Sequence, residues 1–115
     1  MTKLVMLEDM AALEDVLKKS EESSVFIFKH SATWPVSRKA HQEVDKFLEN
    51  DTLADVQVCR VVVQKARNVS QEIAKQTGVR HESPQILLVQ NGKCVWNASH
   101  RSITAENLRQ TLSNK

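Results

Sequence analysis

The segment that decides the fold reads VFIFKHSATWPVS over residues 25–37. Its first four residues, Val25–Phe28, are apolar and favour a strand buried on both faces, as in the centre of an α/β sheet. A polar loop over Lys29–Thr33 follows. A helix is then predicted to begin near Trp34 and Pro35, because the N–H that proline lacks needs no partner in a first helical turn. This order places unpaired backbone N–H groups at one exposed point, where an anion or a thiolate is stabilised.

Hydrophobic periodicity and turn residues predict further helices and strands on either side of this segment. The predicted helices are an amphipathic one over Glu8–Lys19, the one from Pro35 to Asn50-Asp51, a short one around Val69–Ala74 that stops at Gly78, and a closing one around Ala105–Leu112 with Thr104 as its N-cap. The predicted strands are Val25–Phe28, Val56–Gln64, a hairpin of Gln85–Gln90 and Lys93–Ala98 around the turn Asn91-Gly92, and a further candidate at Lys3–Met6.

The order of these elements predicts the fold class. Helical connections between the early strands imply parallel pairing, whereas an Asn-Gly dipeptide between two strands favours a tight type I′ turn and an antiparallel pair. A small mixed α/β sheet with helices on both faces satisfies both demands, and a C-terminal hairpin and helix complete it. Because the 115 residues contain no linker and no internal repeat, we expect a single domain over residues 1–115.

Composition argues against several classes of function. Sixteen basic and fourteen acidic residues leave a net charge of +2, and only five residues are aromatic, so nucleic acid is not expected as a partner. The longest apolar runs, Val25–Phe28 and Ile86–Val89, are too short to span a bilayer. Acidic residues interrupt the N-terminal stretch before a signal peptide can form. We therefore expect a cytoplasmic monomer without a membrane partner.

The two cysteines, Cys59 and Cys94, form neither a disulfide framework nor a metal signature. Both lie in predicted strands, where small buried cysteines are more often inert apolar residues than nucleophiles. A cytosolic setting also disfavours a disulfide between them. The four histidines are scattered rather than set at metal-ligand spacings, so no metal site is predicted.

A Ser83-Pro84 pair precedes the hairpin, and together with the strand, the loop and the proline-started helix it makes up the arrangement of thioredoxin-like proteins. The monothiol bacilliredoxins, redox proteins of the bacillithiol system in Gram-positive bacteria, carry the loop motif Lys-His-Ser-x-Thr-Cys-Pro-[Ile/Val]-Ser. This chain resembles them at Lys29, His30, Ser31, Thr33, Pro35, Val36 and Ser37. The likeness continues through Val63–Ala74, Gly78–Gln85, Asn91-Gly92, Trp96, Ser99-His100 and Ile103-Thr104.

The resemblance implies a thioredoxin-like fold, a cis Ser83-Pro84 bond and the removal of bacillithiol from S-bacillithiolated client proteins by thiol–disulfide exchange. Bacillithiol would be the co-substrate, the client proteins would be the partners, and no tightly bound cofactor is implied. The implied site consists of Thr33, the nucleophile position at Trp34, Pro35, Ser37 and Pro84, with Ser83, His81 and Glu82 lining the groove.

Trp34 stands where the family has its nucleophilic cysteine. Thiol–disulfide exchange requires a sulfur nucleophile. An indole cannot replace it, and neither can the protonated hydroxyl of Ser37, which occupies the position of a dithiol relative's second cysteine. The resemblance therefore implies an inactive chain. Two alternatives stay open: a non-catalytic module that binds a peptide or a low-molecular-weight thiol, and an enzyme whose reactive thiol has moved to Cys59 or Cys94.

Two origins fit Trp34: an inherited change that turns the site into a binding surface, or a substitution that disables the protein. We expect the indole to fold over the helix N-terminus and pack on Pro84, in preference to a dedicated role as an interface anchor.

The charged side chains near the loop also have two interpretations. One interpretation is that the carboxylates in the malate part of bacillithiol bind to Lys29, His30 and Arg67. The other is that these three side chains are ordinary solvated charges. Arg101 stands where the resemblance leads us to expect an aromatic residue at the rim of the site.

Overall fold

Apolar, β-forming residues in the first third of the chain become the central strand of a five-stranded sheet. The structure is a computed structural model that describes residues 4–31, 35–49 and 56–113. The strands are β1 (Leu4–Met6), β2 (Ser24–His30), β3 (Val56–Val62), β4 (Gln85–Gln90) and β5 (Lys93–Ser99). The helices are α1 (Met10–Lys19), α2 (Pro35–Leu48), α3 (Arg67–Thr77) and α4 (Ala105–Ser113), with a 3-10 turn over His100–Ser102 before α4. None of the helices in these ranges combines the length and apolar character needed to cross a bilayer.

The sheet has the strand order β1-β3-β2-β4-β5. β1, β3 and β2 run parallel, whereas β4 pairs antiparallel with both β2 and β5. In this register, Ile27 of β2 lies between Cys59 of β3 and Leu87 of β4. The predicted mixed α/β sheet is therefore confirmed, together with the short first strand and the C-terminal hairpin.

Alternate side chains of β2 supply two hydrophobic cores, because successive residues of a strand point to opposite faces of the sheet. The core on one face joins β2 to α1 and α3, and it includes Val25, Ile27, Leu13, Val16, Val69 and Ile73. The core on the other face joins β2 to α2 and α4, and it includes Phe26, Phe28, Ala40, Val44, Phe47, Ala105 and Leu108. The prediction of helices on both faces is thus confirmed.

The central strand is longer than its apolar run. Lys29 and His30, which the sequence places in a polar loop, continue β2, so that part of the prediction is wrong. Their ladder partners in β3 are Val61 and Val62, and Lys29 also pairs with Gln85 of β4. The pairing of neighbouring strands, and not the hydrophobicity of the segment, decides where β2 ends.

The first helix is shorter than predicted. It begins at Met10 rather than at Glu8, because Asp9 has an extended backbone and acts as the N-cap. The Asp9 carboxylate accepts a hydrogen bond from the N–H of Ala12 at 2.8 Å. The capping hydrogen bond of Asp9 fixes Met10 as the first helical residue, whereas the spacing of hydrophobic residues shows only that a helix is present.

Three further boundaries depart from expectation or lie outside the described residues. β3 ends at Val62 rather than at Gln64, because the chain turns directly after Val62. β5 extends one residue beyond the predicted Ala98, to Ser99. The predicted end of α2 at Asn50-Asp51 is outside the described residues.

The predicted turn and cap residues adopt the expected backbone. Asn91 and Gly92 both have positive φ, 53° and 73°, as a type I′ turn requires. Gly78 ends α3 in the left-handed conformation with φ 72°. The hydroxyl oxygen of Thr104 accepts the N–H of Asn107 at 3.1 Å, which confirms Thr104 as the N-cap of α4.

The tip of the hairpin is fastened to the end of α1. Ser20, which follows α1, is almost fully buried. Its carbonyl oxygen accepts the N–H of Asn91 at 2.7 Å, and its hydroxyl oxygen accepts the N–H of Gly92 at 2.9 Å. These two bonds connect the first helix to the last pair of strands.

Candidate functional site

The residue after β2 and the first turn of α2 are held together by a hydrogen bond. The N–H of Ser31 donates to the hydroxyl oxygen of Ser37 at 3.2 Å, and both side chains are buried. Ser37 therefore ties the loop to the helix, while Pro35 is exposed at the first position of α2. Thr33 and Trp34 lie outside the described residues, so the packing of Trp34 stays a prediction.

The segment before β4 is fixed against the turn after β5. The Ser83–Pro84 peptide bond is cis, as the resemblance implies, and Pro84 is buried. The carbonyl oxygen of Pro84 accepts the N–H of His100 at 3.0 Å. His100 has a positive φ of 54° where the chain leaves β5.

A cleft of about 550 Å³ lies between the end of β2, the start of α3 and the segment before β4, and we call it the α3 cleft. It brings together three of the predicted groove residues: His81, Glu82 and Ser83. The complete lining is Ser31, Val63, Gln64, Arg67, Ser70, Gln71, His81, Glu82, Ser83 and His100. Sequence reasoning named Gln64 and Ser70 only as part of the resemblance and did not place them at the site. The agreement over Val63–Ala74 was the signal that pointed there.

A buried lysine lies one layer beneath the α3 cleft. The side chain of Lys29 is 0% exposed, and its Nζ lies 3.3 Å from Nδ1 of His81. The hydroxyl oxygen of Ser70 lies 3.1 Å from the same nitrogen. Burial lowers the pKa of Lys29 to about 8. Burial also lowers the pKa of His81, and the charge of Lys29 adds to this effect while Glu82 opposes it.

We expect Lys29→Met to be more stable than the native chain at pH 7, by roughly 1–3 kcal/mol, because folding then no longer removes an ammonium group from water. The ordinary pKa of 10.5 falls to about 8 on folding, so between these values the unfolded chain holds a proton that the folded chain has released. The stability of the native chain therefore rises across this pH window. The advantage of the variant is complete below pH 8 and disappears toward pH 10.5.

Urea denaturation at several pH values measures this difference. Lys75→Met removes an exposed lysine of α3 and serves as the matched control. A stability difference for Lys29→Met that stays constant across the window contradicts the assigned environment of Lys29.

His30 points to the opposite face of the sheet from Lys29. Its ring centroid lies 5.1 Å from that of His41, which is hydrogen-bonded to Arg60 and lies 3.2 Å from a carboxylate oxygen of Asp45. Burial lowers the pKa of His30 to about 4, and the charges of His41 and Arg60 add to this, whereas a backbone hydrogen bond at Ser37 opposes it. His30 thus does not share the α3 cleft with Lys29 and Arg67.

Neither cysteine offers a reactive thiolate. Both are free, and Cys59 is fully buried within β3. Burial raises the pKa of Cys59 to about 12. Burial also raises the pKa of Cys94, whose Sγ donates to the carbonyl oxygen of Trp96 at 3.2 Å. These environments favour the inert interpretation of both thiols.

A second cavity, of about 590 Å³, lies on the other side of His100. Pro35 and Arg101 both line it, so Arg101 occupies a rim position next to the start of α2. Within the described ranges, no three histidine, cysteine, aspartate or glutamate side chains are grouped as ligands of a metal ion would be.

Comparisons with known proteins agree with this architecture. The chain matches the family described as monothiol bacilliredoxin BrxC over residues 5–108. The solved structure of a candidate oxidoreductase with a thioredoxin fold is 37% identical, with a TM-score of 0.82 and coverage of 95% of this chain and 93% of that one. Thioredoxins from Fasciola hepatica and Malassezia sympodialis are 15% and 13% identical, with TM-scores of 0.75 and 0.77. They cover 96% and 97% of this chain, and 97% and 90% of their own chains are matched. The predicted thioredoxin-like fold is confirmed.

Proposed function

Because this chain belongs to the monothiol bacilliredoxin family, we propose that it retains the family's groove for S-bacillithiolated client proteins but lacks the thiolate that removes bacillithiol. In the exchange reaction, a cysteine thiolate attacks the protein–bacillithiol disulfide and forms a new disulfide with bacillithiol. The client sulfur leaves as a thiolate and takes up a proton. Trp34 occupies the position of the attacking sulfur, and an indole forms no such disulfide.

The observation that carries this proposal is the separation of the α3 cleft from both sulfur atoms. The cleft lies at the end of β2, with Ser83 in its wall. Cys59 lies inside β3 and Cys94 lies in β5, and neither lines the cleft. A groove without a thiolate cannot attack a disulfide, so the chemistry left to it is binding.

A second candidate is a binding module for an extended peptide. The segment before Pro84 supports it, because His81 and Glu82 are exposed at the cleft and their backbone precedes β4 without belonging to the sheet. An extended peptide can add to such a segment through main-chain hydrogen bonds. This candidate differs from the first in requiring no bacillithiol on the client.

We expect the native chain to form no disulfide with bacillithiol when incubated with the oxidised form of that thiol. The reason is that Cys59 is fully buried, Cys94 is half-buried with its thiol bonded to a carbonyl oxygen, and the raised pKa values of both keep them protonated. Intact-mass spectrometry followed by peptide mapping measures the adduct. The same chain unfolded in guanidinium is the control, and there both cysteines should react.

Binding to one protein in its S-bacillithiolated and reduced forms separates the two candidates. A preference for the modified form supports a retained bacilliredoxin groove, whereas equal binding of both forms supports the peptide module. A bacillithiol adduct on Cys59 or Cys94 of the folded chain would overturn both, because the thiol chemistry would then have moved.

A further inference from the structure

The α3 cleft carries more positive than negative charge. Arg67 lines it, with the ammonium of Lys29 beneath, whereas Glu82 is the acidic side chain in the lining. Within the described part of the chain, the ion pairs join His41 to Asp45 and Lys46 to Glu43, so no carboxylate there neutralises Lys29. Buried charges are ordinarily paired. The charge beneath this cleft is therefore available to an anion that enters it.

The contacts of His81 determine what its ring presents to the cleft. Nδ1 lies within hydrogen-bond distance of both Lys29 Nζ and the Ser70 hydroxyl. An ammonium group only donates, so Nδ1 accepts from it and the ring proton lies on Nε2. His81 is exposed, and its Nε2–H is thus a hydrogen-bond donor at the edge of the cleft.

Two further features at the cleft favour an anionic ligand. The hydroxyl oxygen of Ser83 is buried and has no hydrogen-bond partner in the described structure. α3 begins at Arg67, its N-cap Ala66 has no capping side chain, and its first turn contains no acidic residue. The Ser83 hydroxyl is therefore a donor that no group in residues 4–31, 35–49 and 56–113 uses, and the helix start adds a partial positive charge nearby.

We propose that the α3 cleft binds the carboxylates of a small thiol-bearing ligand, with Arg67 as the direct partner and Lys29 as the charge beneath. Given the proposed function on which this inference rests, the ligand is the malate part of bacillithiol. A volume of about 550 Å³ suits a ligand of that size. The site gives this chain a way to distinguish an acidic low-molecular-weight thiol from a neutral one.

Titration of the native chain with S-methyl bacillithiol tests the proposal, because the methyl group prevents disulfide exchange. The comparison ligand is the same S-methyl compound without its malate group. We expect the malate-free compound to bind at least about ten-fold more weakly, since charge-assisted hydrogen bonds are lost. Isothermal calorimetry gives the affinities, and amide chemical shifts of residues in α3 report the location.

Arg67→Gln and Lys75→Gln form a matched pair, because each removes one positive charge from α3 and only the first lies in the cleft. We expect Arg67→Gln to weaken S-methyl bacillithiol binding by about ten-fold or more and Lys75→Gln by less than about two-fold. Lys29→Met should also weaken binding, with circular dichroism confirming that it is folded.

Equal effects of the two α3 substitutions, or equal binding of the malate-free ligand, would overturn the proposal. A further titration uses inorganic phosphate at matched ionic strength. Phosphate binding as tight as that of S-methyl bacillithiol would overturn the proposal, because the cleft would then be a general anion site without selectivity for carboxylates. If S-methyl bacillithiol does not bind while the preference for S-bacillithiolated clients persists, this inference fails and the proposed function stands. If S-methyl bacillithiol binds as expected while the preference for S-bacillithiolated clients is absent, the proposed function fails and this inference stands.

Discussion

Trp34→Cys is expected to release bacillithiol from an S-bacillithiolated protein, a reaction that the native chain should not perform. The substitution supplies a sulfur immediately before Pro35, where α2 begins. A thiol at a helix N-terminus has a pKa of roughly 3.5–7.5 instead of about 8.5, so much of it is thiolate at neutral pH. We expect release at least about ten-fold above the background given by the native chain.

The matched control is Trp34→Ser, which also removes the indole and places a small polar side chain there without sulfur. Mass spectrometry should find the client reduced and bacillithiol attached to the introduced thiol of the cysteine variant. Both variants keep Cys59 and Cys94, so any difference between them belongs to position 34. A folded Trp34→Cys variant that releases no more than Trp34→Ser would contradict a retained redox groove.

Phe26→Ala is expected to cost about 3–5 kcal/mol of folding free energy, the usual range for an aromatic residue truncated in a core. Phe26 is 0% exposed in β2. Its ring meets that of Phe47 edge to face at a centroid distance of 5.4 Å and that of Trp96 at 6.4 Å. One side chain thus connects the central strand to α2 and to β5, and its removal leaves a cavity between three elements.

The control for this prediction is Phe26→Leu, which keeps most of the volume and should cost less than about 2 kcal/mol. Urea denaturation monitored by circular dichroism gives both values. Since domains of this size are stable by only about 5–15 kcal/mol, the alanine variant should lose a large part of its stability. A cost below about 1 kcal/mol would show that Phe26 is not packed as described.

Elements that depend on local signals could be predicted from the sequence. The hairpin follows from two β-forming runs on either side of Asn91-Gly92, because a type I′ turn requires positive φ at both central residues and this dipeptide adopts it readily. The end of α3 at Gly78 and the cap at Thr104 follow similarly local rules. The order of helices and strands was enough to predict a mixed sheet, because the rules for how consecutive strands are connected allow few topologies.

Features that depend on distant contacts could not be predicted in this way. Lys29 belongs to the polar stretch that predicts a loop, yet β3 and β4 pair with it on both sides and bury it beneath the cleft, where lysine is rarely found. Gln64 and Ser70 look like ordinary surface residues until α3 folds beside β2. The predicted site therefore centres on the loop and the Ser83–Pro84 pair; of the α3 wall it contains Arg67 as one interpretation of a charged side chain, but not Ser70 or Gln71.

The bonds between Ser20 and the hairpin tip have a practical consequence for protein engineering. Exposed hairpin tips are ordinarily where a chain tolerates an inserted tag, a new pair of termini or proteolytic nicking. Here the N–H groups of Asn91 and Gly92 are both used to hold the end of α1. An insertion between these two residues would break the turn and both hydrogen bonds to Ser20 at once. A reporter sequence placed there would therefore loosen the contact between α1 and the C-terminal hairpin.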